Sequence, residues 1–360
     1  MSGLAELGNL WNSIQAWLFP MLEDELGELD EKHREFVAVC ETCAPQAHMA
    51  AYRWVGNGCP PKDRLALCKA FIAKAVWDFP TTSDLIDALR HRPALRRLCG
   101  WETLGCIPSE STFSRAFAAF AQDELPQRIH EAMLKACYGD KIAGHISRDA
   151  TAIHAREKAA KKEPKPVAQS PEGEEPASPE PTRLQHQLER SLDENIADLP
   201  RACDWGTKKD SKGKRLTWRG FKLHVDTVDG DLPVSWLLTS ASLHDSQAAI
   251  PLAQMSAERT ISLYDLADAA YDAKEIRQMS ERLGHVAIID HNPRRGEKRQ
   301  FAPAEATRYG ERSAAERVNS HLKDAHGGRH VRVRGPAKVA CHLAFGIVVI
   351  AAEQLLARLC

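Results

Sequence analysis

Residues 141–158 read Lys141-Ile-Ala-Gly-His-Ile-Ser-Arg-Asp149-Ala-Thr-Ala-Ile-His-Ala-Arg-Glu-Lys158. Ile142, Ile146, Thr151 and Ile153 make this a short run rich in β-branched side chains, which predicts a strand over 142–153 carrying Asp149 toward its end. Strands continue outward from it. Residues 217–228 and 234–240 read as a pair joined by the turn Asp229-Gly230-Asp231, and 261–267 and 285–290 as two more. Helices are predicted over 272–283 and 311–323. The first three strands meander and the last two are separated by helices, so residues 141–360 are expected to form a mixed five-stranded α/β sheet flanked by helices. The apolar stretch 337–359 is broken by Lys338, His342, Glu353 and Arg358, which favours a helix packed under the sheet over a membrane span.

Upstream, residues 1–140 read as an all-α domain. Residues 1–45 hold nine acids against Lys32 and Arg34, with an apolar stripe of Leu10, Ile14, Trp17 and Leu18. Residues 62–78 repeat the helical spacing through Leu65, Leu67, Cys68, Phe71, Ile72 and Val76. Ser83 is placed to cap a helix through Leu85, Ile86 and Leu89. Arg90, Arg92, Arg96 and Arg97 crowd a short second helix. Ser109 and Ser111 are placed to cap a third through Phe113, Phe117 and Phe120. Short helices with arginines on one side satisfy a helix-turn-helix and equally a small bundle with a solvated basic face.

Composition limits the class without naming the chemistry. The 360 residues carry a net charge of −1, so attraction to nucleic acid has to come from local clusters. One cluster lies at 201–222 (Arg201, Lys208, Lys209, Lys212, Lys214, Arg215, Arg219, Lys222) and another at 291–338, including Arg294, Arg295, Arg329, Arg332 and Arg334. Ten scattered cysteines fit reduced thiols in a reducing cytosol, and the acids among the first thirty residues do not fit a secretory leader. Residues 160–200 form a proline-rich insertion, with Pro164, Pro166, Pro171, Pro176, Pro179 and Pro181, for which no regular structure is expected.

Asp149 and Asp268 each end a predicted strand, and Glu316 lies in a basic helix. Carboxylates converging at a sheet edge repel unless a cation lies between them, and Mg²⁺ suits them because it binds through one or two carboxylates and keeps positions for water and phosphate oxygens. Three acids alone also fit an ordinary charged surface. Tyr309, Arg312, Glu316 and Lys323 follow the spacing Tyr-x2-Arg-x3-Glu-x6-Lys, which puts Arg312, Glu316 and Lys323 on one helix face. An exposed helix with an ordinary Glu–Arg pair has the same spacing.

This signature resembles that of DDE transposases of bacterial insertion sequences, in the group defined by Tyr-Arg-Glu-Lys. Residues 149–158 are similar to the family's first-aspartate motif, with Ala150 where serine is usual, and 267–272 (Ala-Asp-Ala-Ala-Tyr-Asp) are similar to its second. Residues 218–224, 241–245 and 107–115 add to the likeness, which spans about 60–355. The resemblance implies a ribonuclease-H-like fold and a metal-binding catalytic triad of Asp149, Asp268 and Glu316. It implies one or two Mg²⁺ (or Mn²⁺) ions, with two expected. The expected DNA contacts are Tyr309, Arg312, Lys323, Lys222 and Arg115, and the partners are double-stranded transposon ends and target DNA. Two ends imply a homodimer on DNA, in a bacterial cytoplasm, with no membrane. Asp268 and Glu316 stand 48 positions apart, too close for the β-rich insertion some relatives carry there. A non-catalytic DNA-binding regulator and a nuclease that cuts without joining are the competing readings.

Several residues remain outside this scheme. His244 and Asp245 fit either a loop-orienting or a catalytic role, while Asp265 and Asp272 are the acids most easily mistaken for Asp268, with Asp272 expected as a helix cap. Cys40-x2-Cys43 with His48 admits a zinc reading, but no second pair follows and buried thiols are expected. Trp205, Trp218 and Trp236 fit strand packing better than stacking on a flipped base.

Overall fold

The computed structural model describes residues 3–49, 62–139, 141–161, 180–209, 213–293, 297 and 299–359. Pro164, Pro166, Pro171, Pro176, Pro179, Lys212, Arg294 and Arg295 lie outside the described residues.

The central strand is β1 (Ile142–His154). On one side it pairs antiparallel with a long strand, Arg215–Val228, and on the other it pairs parallel with Ile261–Ala267. Numbered in chain order these strands follow β2 (Asp204–Lys209) as β3 and β5, with β4 (Leu232–Ser240) between them and β6 (Val286–Ile289) last. β4 pairs antiparallel with the C-terminal half of β3, and β6 pairs parallel with β5, giving the order β4-β3-β1-β5-β6. β2 is a sixth strand that the sequence reading did not anticipate. It pairs with the N-terminal half of β3, so the first basic cluster is partly a hairpin. Gly220 marks the handover along β3: a Cβ there would meet the Ile153 carbonyl oxygen at 2.0 Å. The result is a ribonuclease-H-like mixed sheet flanked by helices.

The N-terminal region contains α1 (Gly3–Ser13), α2 (Phe19–Leu26), α3 (Glu31–Cys43), α4 (Arg64–Val76), α5 (Thr82–His91), α6 (Pro93–Cys99), α7 (Glu110–Gln122) and α8 (Leu125–Tyr138). A π-turn over Ile14–Leu18 inserts extra rotation between α1 and α2, so the expected stripe breaks. Ile14 stays buried while Trp17 turns out to 77% exposure. α5 starts at Thr81, whose hydroxyl exchanges hydrogen bonds with Asp84, and not at Ser83. Two of the four clustered arginines are used internally. Arg96 is buried and donates to the Leu89 carbonyl, and Arg97 donates to Glu102 and to the Glu25 carbonyl.

Thr182 and Ser191 each exchange hydrogen bonds with the residue three positions on, starting α9 (Arg183–Glu189) and α10 (Leu192–Asp198). The end of the expected irregular insertion is therefore helical. These helices pack on α11 (Ala249–Ala257), and α9 also on α12 (Lys274–Arg282). The chain continues through α13 (Pro303–Tyr309) and α14 (Ser313–Ala325) to α15 (Pro336–Ala357). α15 is long and apolar enough to cross a membrane, but 72% of its most apolar window is buried within the protein. One face joins Val339, Leu343 and Ile347 to β3 and α14, and another brings Phe345 against Phe71 and Phe117 of α4 and α7 at 5.8 and 6.4 Å. Cys40 and Cys43 are buried thiols in the same helical core, and burial pushes Cys43 up to about 12.

Candidate active site

Side chains alternate across a strand, so Ser147, Asp149 and Thr151 share one face of β1. α14 lies along that face. The Ser147 hydroxyl donates to the Arg312 carbonyl and accepts from the Ala315 N–H at 3.3 Å, which fastens the start of α14. Asn319 Nδ2 donates to Asp149 Oδ2 at 3.0 Å, and the Lys323 ammonium donates to the Thr151 hydroxyl. Glu316 comes between the first and second of these contacts. It is 52% exposed on the side chain and accepts from Arg312 at 2.7 Å.

The second aspartate comes from the neighbouring strand. In the parallel pairing Arg148 lies opposite Ala267, so Asp149 and Asp268 follow side by side where β1 passes the end of β5. Asp268 Oδ1 accepts from the Ala270 N–H at 2.8 Å, capping the turn that β5 enters. Burial pushes the Asp149 carboxyl up to about 6, and the nearby Asp268 charge adds to this, against the Asn319 hydrogen bond and the Lys208 charge. A divalent cation would relieve both burdens, and an all-oxygen donor set suits a hard ion.

Around this pair stand the basic groups. Arg312, immediately before α14, Lys323 of α14, and Lys208 from β2 are each close enough for their charges to act on Asp149. The Tyr309 ring packs on Phe301 at 4.8 Å and lies beneath the Arg312 guanidinium at 5.6 Å. The structure thus brings Asp149, Asp268, Tyr309, Arg312 and Lys323 to one end of the sheet; Glu316 lies on the same face of α14 with its carboxylate held by Arg312, and the Asp149, Asp268 and Glu316 carboxylates are not gathered within 4.8 Å of one another. Two expected residues are placed otherwise. Lys222 is largely buried and bound to Asp245 and the Leu243 carbonyl, both at 2.7 Å. Arg115 is exposed on α7 in the helical region and donates to Thr112.

The neighbouring acids separate cleanly. Asp265 is buried against His285, and Asp226 is held by Arg148 through two bonds of 2.8 and 2.7 Å. Asp272 does not cap a helix: it accepts from Arg277 and from the Asn292 N–H, and Ala273 occupies the cap position of α12. His244 caps the turn that follows β4. Trp218 and Trp236 are buried as expected, whereas Trp205 is 55% exposed with Arg219 over its ring. Ser147 and Asn319 escaped the sequence reading. Asn319 stands three residues after Glu316, a spacing that puts it on the same face, but an asparagine there has no motif to mark it.

Residues 149–351, which hold all three carboxylates, match the family described as Transposase DDE domain, and residues 24–119 match a second family, Transposase domain (DUF772). No curated protein and no solved structure matches the chain. DDE domains are metal-dependent phosphoryltransferases of DNA transposition and generally use divalent ions. With a matching sheet, and with the family match covering more than half its length, the chain belongs to the DDE-domain transposases.

Proposed function

We propose that this protein is a transposase of a bacterial insertion sequence of the Tyr-Arg-Glu-Lys group, cutting DNA at the element's terminal inverted repeats and joining the freed ends to target DNA. The observation that carries this is the alignment of α14 along β1, which bonds Asn319 to Asp149 and Lys323 to Thr151 beside Asp268, with Glu316 on the same face of the helix. Asp149, Asp268 and Glu316 would hold one or two Mg²⁺ or Mn²⁺ ions, two being the fuller set. Bound there, the metal supplies activation of the attacking oxygen and stabilisation of the leaving one.

The protein's own groups do the positioning. Arg312 offers a planar fork to a phosphate while remaining tied to Glu316, and Lys323 adds a point charge one face along. Tyr309 presents its ring and hydroxyl beside Asp268. Asn319 holds one oxygen of Asp149 and so orients the other. Lys222 orders the loop after β4 through Asp245, in reach of the same DNA. The helical region, residues 1–140, would recognise the repeats, with Arg115 on its exposed face, and residues 141–360 would form the catalytic domain. Two ends would be held by a homodimer assembled on DNA, associated with the bacterial nucleoid in the cytoplasm.

The test is incubation of the purified protein with DNA bearing its element's ends and Mg²⁺. Cleavage and strand transfer are expected, and both are lost in Asp149→Asn, Asp268→Asn and Glu316→Gln. Binding without cleavage would instead identify a DNA-binding regulator, and cleavage without joining a nuclease.

A further inference from the structure

A second group of ligating side chains lies away from the triad, where α14 and α15 meet the N-terminal helices. His321 belongs to α14, His326 is its C-cap, and Glu353 lies near the end of α15. Their ligand atoms all lie within 4.8 Å of one another, close enough to hold a metal ion as they stand. His321 Nε2 and His326 Nε2 are 3.1 Å apart, and they lie 4.0 and 3.7 Å from Glu353 Oε2. A triangle with those three sides has a circumscribed radius of about 2.1 Å, so one point is at zinc–ligand distance from all three atoms.

The surroundings fit the same reading. His326 Nδ1 lies 3.1 Å from the Ala75 carbonyl, which can only accept, so Nδ1 carries the proton and Nε2 presents its lone pair to the group. A ligating histidine commonly has this arrangement, with its other nitrogen donating to a backbone carbonyl. Glu35 of α3 is beside Glu353, adding a second carboxylate to the group. Lys32 holds one Glu35 oxygen at 2.7 Å. His321 is 41% exposed on the side chain, which leaves a way in from solvent. The close crossing depends on Gly346, where a Cβ would meet the His326 carbonyl oxygen at 2.5 Å.

We propose that His321, His326 and Glu353 bind a divalent transition-metal ion, Zn²⁺ by ligand chemistry, which ties the end of α14 to α15 beside α3. Two imidazoles select against Mg²⁺ and Ca²⁺, which favour all-oxygen sites, so this ion differs in kind from the one proposed at the carboxylate triad. The inference does not depend on that triad. Its consequence falls on the helix that carries Glu316, whose far end the ion would fix.

The test uses the full chain carrying Asp149→Asn and Asp268→Asn, so that metal at those carboxylates is not counted. Co²⁺ is added as a visible-absorbing probe. One Co²⁺ per chain with the intense d–d bands of a low-coordinate site is expected, displaced by Zn²⁺ and not by excess Mg²⁺. Adding His321→Ala or Glu353→Gln should weaken binding at least tenfold. Zn²⁺ should raise the melting temperature of the parent chain and leave that of the His321→Ala chain unmoved. Absent Co²⁺ bands, or bands and melting shifts that survive His321→Ala, would overturn the proposal and leave a direct His321–His326 hydrogen bond.

Discussion

Asn319 shows how a neutral side chain enters a charged site. It bonds one oxygen of Asp149 at 3.0 Å, and partners that orient a ligand in this way commonly contribute 10–100-fold to metal affinity or activity, on the order of 1–3 kcal/mol. Asn319→Ala is therefore expected to lower Mg²⁺-dependent cleavage by about that factor while circular-dichroism melting stays within a few degrees. Unchanged cleavage would remove Asn319 from the site. At this scale the sequence was legible wherever charge and spacing coincided. Asp149, Asp268, Glu316, Arg312 and Lys323 stand out through their motif spacing taken together, since each acid or base alone fits an ordinary charged surface, and Asp149 proves to lie within β1, not at its end. Ser147 and Asn319 do not, since their roles come only from what α14 lies against. Lys222 was legible as a base, but its ion pair with Asp245 depends on how the loop after β4 folds back.

Elements are set by a few short contacts. The Ser147 hydroxyl joins β1 to both the Arg312 carbonyl and the Ala315 N–H, so Ser147→Ala leaves buried backbone groups without that partner, at a cost of about 1–3 kcal/mol. Cleavage is expected to fall further than stability does, because the start of α14 also positions Glu316; an equal fall in both, read from rates and urea midpoints, would contradict this. Gly346→Ala would press a methyl group against the His326 carbonyl and is expected to destabilise the protein by about 1–3 kcal/mol by urea titration. Strands with β-branched runs and helices with regular apolar spacing could be read in advance, and β5 matches its expected bounds, 261–267. β2 could not, because its lysines and lone Trp205 carry little strand signal without β3 beside them. α9 and α10 were hidden by the neighbouring prolines, although Thr182 with Gln185 and Ser191 with Glu194 announce both starts.

Across the whole molecule, stability is tied to pH through buried imidazoles. Burial lowers His130 and His342 to about 3 and His224 to about 4, so each stays neutral in the folded chain well below its ordinary value of 6.5. Above pH 6.5 neither state is protonated and these groups leave stability unchanged. Below it the unfolded chain takes up protons first, and each histidine removes about 1.4 kcal/mol per pH unit until its folded value is reached. The urea midpoint should therefore fall steadily from pH 6.5 toward 4; a flat profile would show these imidazoles to be accessible. The change from helical to strand texture near residue 141 was visible in the sequence. The shared core was not, because no local pattern reveals which faces of α15 meet which partners. Since Phe345 packs against Phe71 and Phe117, a chain cut to residues 141–360 is expected to aggregate on expression, whereas soluble monodisperse material would refute that dependence. Grafting feels the same constraint. Anyone exchanging the first 140 residues for those of another transposase would have to redesign residues 336–357 in the same step, because the seam between the halves runs through a helix at the opposite terminus.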